Sequence, residues 1–244
     1  MYTGGCDHYA DEFMIDFSNK TVLFFFAHPD DETLAAGGTL AKLHRLGTVV
    51  HVAIPVTGVY ARRGEAGVQD AELHTLREDC RAALGVLGVS KERIYLGDFP
   101  DNELDTVSRL ALTQWLEDIL EKVKPDIIFT HHLNCTNIDH RRCHEAAVVA
   151  TRPSIHSHIT LIASEVPSST GYLKPTAWEP NLFIEISKED LDMKIRSMQI
   201  YRGEARPDPH PRSPEVLSAY AKVRGSESGF MFAESFMIQK TLHV

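Results

Sequence analysis

The stretch TVLFFFA-HPDDE, residues 21–32, decides the fold class of this chain. Residues 21–27 form a continuous apolar run, which is typical of a parallel strand buried on both faces. The run stops at His28-Pro29-Asp30-Asp31-Glu32, and residues 33–46 then carry leucines at helical spacing before a glycine, a common helix end. A buried strand followed by a helix predicts the first unit of an α/β fold.

The same alternation continues along the chain and predicts a mainly parallel sheet covered by helices. The predicted strands cover 49–56, 93–96, 126–130, 159–163 and 182–186, and the predicted helices cover 71–87, 107–123, 141–150, 188–201 and 214–224. The pattern is less regular after residue 155, where 164–180 and 203–213 read as long polar loops. We expect a single domain over 1–244, with a core at about 20–155 and a C-terminal elaboration at about 156–244.

Composition excludes several classes of protein. The formal net charge is −9 and there is no long basic run, so no nucleic acid is expected as a partner. The longest apolar stretch, residues 22–27, is too short to span a membrane. The four cysteines show no paired spacing and the N-terminal residues do not resemble a secretory signal, so we expect a cytoplasmic protein.

The polar residues after the first strand predict a metal site. Ligands gather at the carboxyl ends of strands in α/β sheets, and imidazole and carboxylate groups are standard zinc ligands. His28 and Asp31 can turn toward one point, which leaves Asp30 to accept a proton from a metal-activated water. The alternative is that one of the two aspartates simply caps the following helix.

A second polar group follows the strand at 126–130. That strand runs into His131-His132, and the loop after it reaches Asp139-His140 before the next helix. His140 can supply a third ligand nitrogen, and Asp139 can orient a ligand from behind. Taken alone, Asp139 could equally be a helix cap with His140 exposed, but two such groups at two strand ends favour a shared site.

These motifs resemble the LmbE-like, or PIG-L, family of zinc deacetylases. The matching pieces are Ala27-His28-Pro29-Asp30-Asp31-Glu32, Asn137-Ile138-Asp139-His140, Thr57-Gly58, Arg63-Gly64-Glu65, Arg77-Glu78, Leu87-Gly88-Val89, Asp98 and Asp101. The resemblance implies a Rossmann-like three-layer sandwich and one divalent metal per subunit, usually Zn²⁺, with other divalent ions possible. By position, His28, Asp31 and His140 would bind the metal, and Asp30 would be the general base and then the acid.

One position departs from the family pattern. Many members carry a histidine that stabilises the oxyanion where this chain has Asn137. An asparagine can donate a hydrogen bond but cannot carry a positive charge. Either Asn137 suffices together with the metal, or a nearby histidine, His132 or His210, takes over.

Four further residues are candidates for binding substrate. Arg63 follows the second strand, and Asp98 follows the third, where Asp101 is better explained as a turn residue. His210 and Arg212 lie in a proline-rich loop that could close over the substrate or form a subunit contact. The alternative for Arg63 is a solvated loop side chain, and for Asp98 it is a turn-forming acid.

The resemblance implies removal of the N-acetyl group from an amino sugar of the GlcNAc type, or from its conjugate, with release of acetate. One alternative is an amidase that cleaves a larger N-acyl group from a sugar-thiol conjugate. Another is a noncatalytic protein of the same fold that binds sugar or metal. The expected partners are a small N-acetyl amino sugar and, since family members often form symmetric oligomers, further copies of the chain.

Overall fold

Seven strands and seven α-helices make up the described part of the chain. The computed structural model describes residues 15–56, 66–156, 158–172 and 178–241. The strands are β1 (Thr21–Phe25), β2 (Val49–Val56), β3 (Ile94–Phe99), β4 (Ile127–His131), β5 (Thr160–Ser164), β6 (Leu182–Glu185) and β7 (Ala233–Lys240). The helices are α1 (Asp31–Arg45), α2 (Ala66–Val86), α3 (Arg109–Val123), α4 (Ile138–Ala150), α5 (Pro153–His156), α6 (Lys188–Ile200) and α7 (Pro214–Ser228).

The strands form one sheet in the order β3-β2-β1-β4-β5-β7-β6. The first five strands in that order are parallel, whereas β7 runs antiparallel to both β5 and β6. The chain order reverses between β1 and β4, which lie side by side. In open α/β sheets such a reversal opens a crevice at the carboxyl ends of the strands.

Strand β1 is buried on both faces because helices cover both sides of the sheet. Val22 and Phe24 belong to a core shared with α1, α2 and α6, and Leu23 and Phe25 to a second core shared with α3 and α4. Successive side chains of a strand point to opposite faces, so an uninterrupted apolar run fits this position. The α/β sandwich with a mainly parallel sheet is therefore confirmed.

Two glycines let helix α1 pack closely against its neighbours, Gly37 against α6 and Gly38 against Ile186, the residue after β6. A Cβ on Gly37 would lie 2.9 Å from Lys194 Cγ, and one on Gly38 would lie 2.6 Å from Ile186 Cδ1. The close approach buries an ion pair, in which Lys194 Nζ lies 2.6 Å from Glu234 Oε1. Glu234 also accepts hydrogen bonds from the backbone N–H groups of Gly38 and Thr39.

Lys194→Ala should destabilise the protein by about 3–5 kcal/mol, because it leaves the buried carboxylate of Glu234 without its counter-charge. The measurement is the free energy of unfolding from urea denaturation. Lys188→Ala on the same helix is the control, since its ion pair with Asp192 is exposed and should contribute less than about 1 kcal/mol. Equal stability of the two variants would contradict the prediction.

Strand β7 is absent from the sequence prediction. It carries Glu234 and Ser235 at buried positions, and these polar residues interrupt the apolar pattern that identifies a strand. Three helices also begin earlier than predicted, α1 at Asp31, α2 at Ala66 and α4 at Ile138. Within the described residues, no helix combines the length and apolar character needed to cross a membrane.

Candidate metal centre and active site

The two sets of polar residues that follow β1 and β4 meet because these strands are neighbours in the sheet. β1 and β4 pair in parallel, with Phe24 opposite Phe129, so both strands end at the same edge of the sheet. The chain leaves β1 into His28 and the start of α1, and it leaves β4 into the loop that reaches His140 at the start of α4. The strand order thus joins residues more than a hundred positions apart.

Three ligand atoms converge at this edge. Asp31 Oδ2 lies 3.1 Å from His28 Nδ1 and 3.1 Å from His140 Nε2. The two imidazole nitrogens lie 3.3 Å apart. A tetrahedral zinc ion with bonds of about 2.0 Å separates its ligand atoms by about 3.3 Å. The three side chains therefore fit a single zinc-sized ion and leave a coordination position on the open side.

Asp139 fixes the orientation of His28 from behind. Its Oδ2 lies 2.9 Å from His28 Nε2, and its carboxylate also accepts from the backbone N–H groups of Asn102 and Leu104 at 2.7 and 3.0 Å. His28 Nε2 is thus the protonated nitrogen, which leaves Nδ1 as the ligand atom. His28, Asp101 and Asp139 also lie close enough to suggest a metal. That second group would need the same Nε2, so its geometry is better explained as support for the first.

The cluster attracts positive charge. Burial alone would lower the pKa of His28, but hydrogen bonds with Asp139 and Asp31 outweigh it and raise the pKa to about 10. For His140 too, burial alone would lower the pKa, but the charge of Asp31 and hydrogen bonds with Asp31 and Cys135 together outweigh it and raise the pKa to about 9. Two buried carboxylates thus hold two imidazoles in their cationic form, and a divalent cation can take the place of those protons.

His131 packs over His140 and remains neutral. The two rings stack with centroids 3.8 Å apart, and His131 Nε2 accepts a hydrogen bond of 2.8 Å from the backbone N–H of Ala27. Burial holds the pKa of His131 well below its usual range. His131 therefore tethers β4 to β1 and supports His140 rather than serving as a fourth ligand.

Asp30 lies beside the three ligand atoms His28 Nδ1, Asp31 Oδ2 and His140 Nε2, here called the ligand triangle, but is not one of them. Its backbone has φ 115°, a left-handed conformation, and its side chain caps no N–H group of α1. Such strain is most often found at functional sites. Its Oδ2 accepts no hydrogen bond from the described residues and lies 3.0 Å from Arg212 Nη1. Burial raises the pKa of Asp30 to about 7, against the opposing charge of Arg212.

A cavity of about 530 Å³ opens over these groups. All its described lining residues are polar or charged: His28, Asp30, Asp31, Asp101, Asn102, Thr136, Asn137, His140, Ser168, Ser169, Glu204, Arg206, His210 and Arg212. Hydroxyl, amide and carboxylate groups suit a ligand that carries many hydrogen-bonding groups. Among the described lining residues there is no apolar side chain to pack against a hydrocarbon chain.

The structure brings some of the predicted substrate residues to this cavity and not others. Asn137, His210 and Arg212 line it. His132 does not, because its ring packs edge-on against Trp178. Asp98 does not either; its side chain is 84% exposed and pairs with Arg77 on the outward side of β3. Arg63 lies outside the described residues.

Asp101 lies in a turn, as the sequence favours, but it is also buried and lines the cavity, which Asp98 does not. Other residues of the site carry no signal in the sequence. Ser168 and Ser169 come from the long polar loop after β5, and Glu204 pairs with Arg212 across the proline-rich loop. Single serines and glutamates in loops are common, so only their position identifies them.

The chain is similar in sequence to one protein family and to several relatives of known name. The family model described as PIG-L, GlcNAc-PI de-N-acetylase, matches residues 23–151, just over half of the 244 residues. The diacetylchitobiose deacetylase of Thermococcus kodakarensis is 28% identical over 226 residues, which cover 88% of this chain and 81% of the relative. The 4-oxalmesaconate hydratase of Pseudomonas putida is 28% identical over 202 residues, 76% of this chain and 74% of the relative.

Solved structures share the fold. The N,N'-diacetylchitobiose deacetylase of Pyrococcus horikoshii superimposes with a TM-score of 0.73 at 23% identity, covering 92% of this chain and 87% of the other. At that identity the likeness establishes the arrangement of strands and helices. It places the cavity described above in a fold that supports deacetylation elsewhere.

Proposed function

We propose that this chain, which belongs to the PIG-L family of de-N-acetylases, is a zinc-dependent hydrolase that removes the N-acetyl group from an amino sugar of the GlcNAc type or its conjugate. The products are acetate and the free amine. The observation that carries the proposal is the ligand triangle of His28, Asp31 and His140 beside the unligated carboxylate of Asp30. Binding a metal requires only the triangle, whereas hydrolysis also requires a base.

The described residues divide the chemistry between them. His28, Asp31 and His140 would hold one zinc ion per subunit, and when bound the ion supplies a Lewis acid that acidifies water and polarises a carbonyl group. Asp30 accepts the proton of the attacking water on its carboxylate and then delivers it to the departing amine nitrogen. The amine leaves protonated, and the C–N bond breaks as the acetate C–O bond is formed.

Asn137 is positioned to act on the oxyanion. Its Oδ1 accepts from the backbone N–H of Asp139, and its Nδ2 donates to Asn102 Oδ1 at 3.0 Å. The amide nitrogen carries two hydrogens, so one remains to donate into the cavity. Because His132 packs against Trp178, Asn137 and His210 are the better placed of the three candidates.

The polar lining favours an acetyl group over a larger acyl chain. Burying an apolar chain against carboxylates and hydroxyls would desolvate those groups without replacing their hydrogen bonds. The same lining contains Asp30, Asp31, Asp101 and Glu204, whose oxygens can accept hydrogen bonds from sugar hydroxyl groups. A sugar with a short N-acyl group satisfies both conditions.

Product analysis tests the proposal. The zinc-loaded protein is incubated with N-acetyl, N-propionyl and N-octanoyl amino sugars, and the free acid and the free amine are quantified. We expect acetate and amine in equal amounts, with the octanoyl sugar the poorest substrate. Release of longer acids at a higher kcat/KM would identify the amidase, and hydration of an unsaturated dicarboxylate without amide cleavage would identify a hydratase. No turnover of any amide would overturn the proposal.

Arg212→Met should lower kcat by about 10- to 100-fold, since it removes the charge that holds Asp30 in place. Arg212→Lys should recover part of the loss, because an ammonium keeps the charge but cannot reach Asp30 and Glu204 with a rigid fork. Steady-state kinetics are the measurement, with Arg196→Met on the exposed side of α6 as the control. An unchanged kcat in Arg212→Met would show that Arg212 does not position Asp30 for catalysis.

We further propose that residues 1–244 act as one domain, since β5, β6 and β7 extend the sheet begun by β1–β4. The three described cysteines, Cys80, Cys135 and Cys143, are free and buried, which suits a cytoplasmic location. Assembly as a homo-oligomer is proposed from the family resemblance and is measurable by light scattering.

A further inference from the structure

We infer that Cys135 is a positioning residue whose sulfur accepts a hydrogen bond from the imidazole of His140 and thereby aims the other ring nitrogen at the metal. The inference rests on the metal site proposed above. It assigns to Cys135 the role for His140 that Asp139 has for His28.

The geometry of His140 requires an acceptor on the far side of its ring. Its Nε2 points into the ligand triangle, 3.1 Å from Asp31 Oδ2. A neutral imidazole has one nitrogen with a free lone pair and one that carries the proton. If Nε2 is the ligand atom, Nδ1 carries the proton and must donate it. Cys135 Sγ lies 3.1 Å from Nδ1, closer than Ser169 Oγ at 3.4 Å.

The sulfur is held in place by its surroundings. Cys135 is fully buried, and its backbone carbonyl accepts a hydrogen bond of 2.6 Å from Arg141 Nη1. The residue also forms an antiparallel bridge with Thr170, and the adjacent Thr136 donates both its N–H and its hydroxyl to the carbonyl of Ser169. The thiol therefore has little freedom to move, and His140 must orient to it.

The two metal-binding histidines are supported unequally. His28 donates to a carboxylate that accepts two further backbone N–H groups, whereas His140 donates to sulfur, a weak acceptor. Outer partners of this kind typically account for about 10- to 100-fold in metal affinity. A purely structural role for Cys135 would instead affect stability and leave the affinity of the metal unchanged.

Cys143 provides a matched control. It is also fully buried and lies on α4 three residues after His140, but it packs in the core against α3 and makes no hydrogen bond to the ligand triangle among the described residues. Replacing either cysteine by alanine removes one buried sulfur atom. Only the replacement of Cys135 removes an acceptor from His140.

The experiment measures the affinity of the full-length protein for Zn²⁺ by competition with a chromophoric chelator, and the visible absorption of the Co²⁺-loaded protein. We expect Cys135→Ala to weaken Zn²⁺ binding by about 10- to 100-fold and to alter the Co²⁺ bands, and Cys135→Ser to restore most of the affinity, because a hydroxyl also accepts. Cys143→Ala should bind Zn²⁺ as the wild type does.

The outcomes separate this inference from the proposed function. Equal Zn²⁺ affinities and Co²⁺ spectra in Cys135→Ala, Cys143→Ala and the wild type would overturn the role of Cys135 alone. Failure of the wild type to bind either ion would overturn the metal site itself. Thermal unfolding of the metal-free variants shows whether each is folded. If Cys135→Ala is not, Cys135→Val, which also lacks an acceptor, takes its place: weaker Zn²⁺ binding than in Cys135→Ser supports the inference, and wild-type affinity overturns it.

Discussion

Asp30→Asn should lower kcat by about 10²- to 10⁴-fold while the protein keeps its zinc, because an amide cannot accept the proton of the attacking water. Asn is the appropriate replacement here, since it is among the non-glycine residues that most readily adopt the positive φ of 115° found at this position. The measurement pairs the rate of acetate release from an N-acetyl amino sugar with the zinc content of the same preparation.

The separation of rate from metal content is the essential result. Asp30 Oδ2 lies beside Arg212 and outside the ligand triangle, so its loss should leave the three ligands undisturbed. Asp118→Asn, on the exposed side of α3, controls for the removal of a carboxylate. Full activity in Asp30→Asn would require another base, and loss of zinc would move Asp30 into the ligand set.

His140→Ala should abolish both zinc binding and turnover. It deletes one of the three atoms that surround the metal position, so the affinity should fall by more than the about 10- to 100-fold that the loss of an outer partner costs. Zinc affinity and acetate release are measured on the same samples. The wild-type protein treated with a strong chelator should lose activity in the same way and regain it when zinc is added.

A variant of a surface histidine controls for the general effect of replacing an imidazole by a methyl group. His74→Ala on α2 removes an imidazole that is 75% exposed and should change neither quantity. If His140→Ala retained one zinc ion with wild-type affinity, His140 would not be a ligand. The partner of Asp31 would then have to be sought at His131, whose Nε2 lies 3.6 Å from Asp31 Oδ2.

The fold and the centre of the site follow from local features of the sequence. An apolar run such as residues 21–27 has only one stable environment, a strand covered on both faces, and the helix after it has to return the chain for a parallel neighbour. The carboxyl ends of such strands share one edge of the sheet. His28, Asp31 and His140 could therefore be grouped without knowing any distance, and the structure places their ligand atoms within 3.3 Å of one another.

The periphery of the site depends on contacts that no local pattern encodes. Asp98 is the penultimate residue of β3 and its side chain is exposed, whereas Asp101, in the turn after the strand, lines the cavity. Strand β7 was not predicted because a glutamate at position 234 indicates an exposed residue. Glu234 can be buried because Lys194, forty positions away, pairs with it. A buried charge looks like a surface charge until its counter-charge is known.

The sequence by itself determined the α/β sheet and predicted the sheet edge at which the three proposed ligands meet, because strand and helix periodicity and the order of motifs are local properties. Only the tertiary structure decided that Arg212 reaches Asp30, that Cys135 Sγ lies against His140 and that the described cavity lining is polar. These contacts join loops distant in sequence. Their conformations depend on the packing of the whole chain, and residues such as cysteine, serine and arginine acquire their roles from that placement alone.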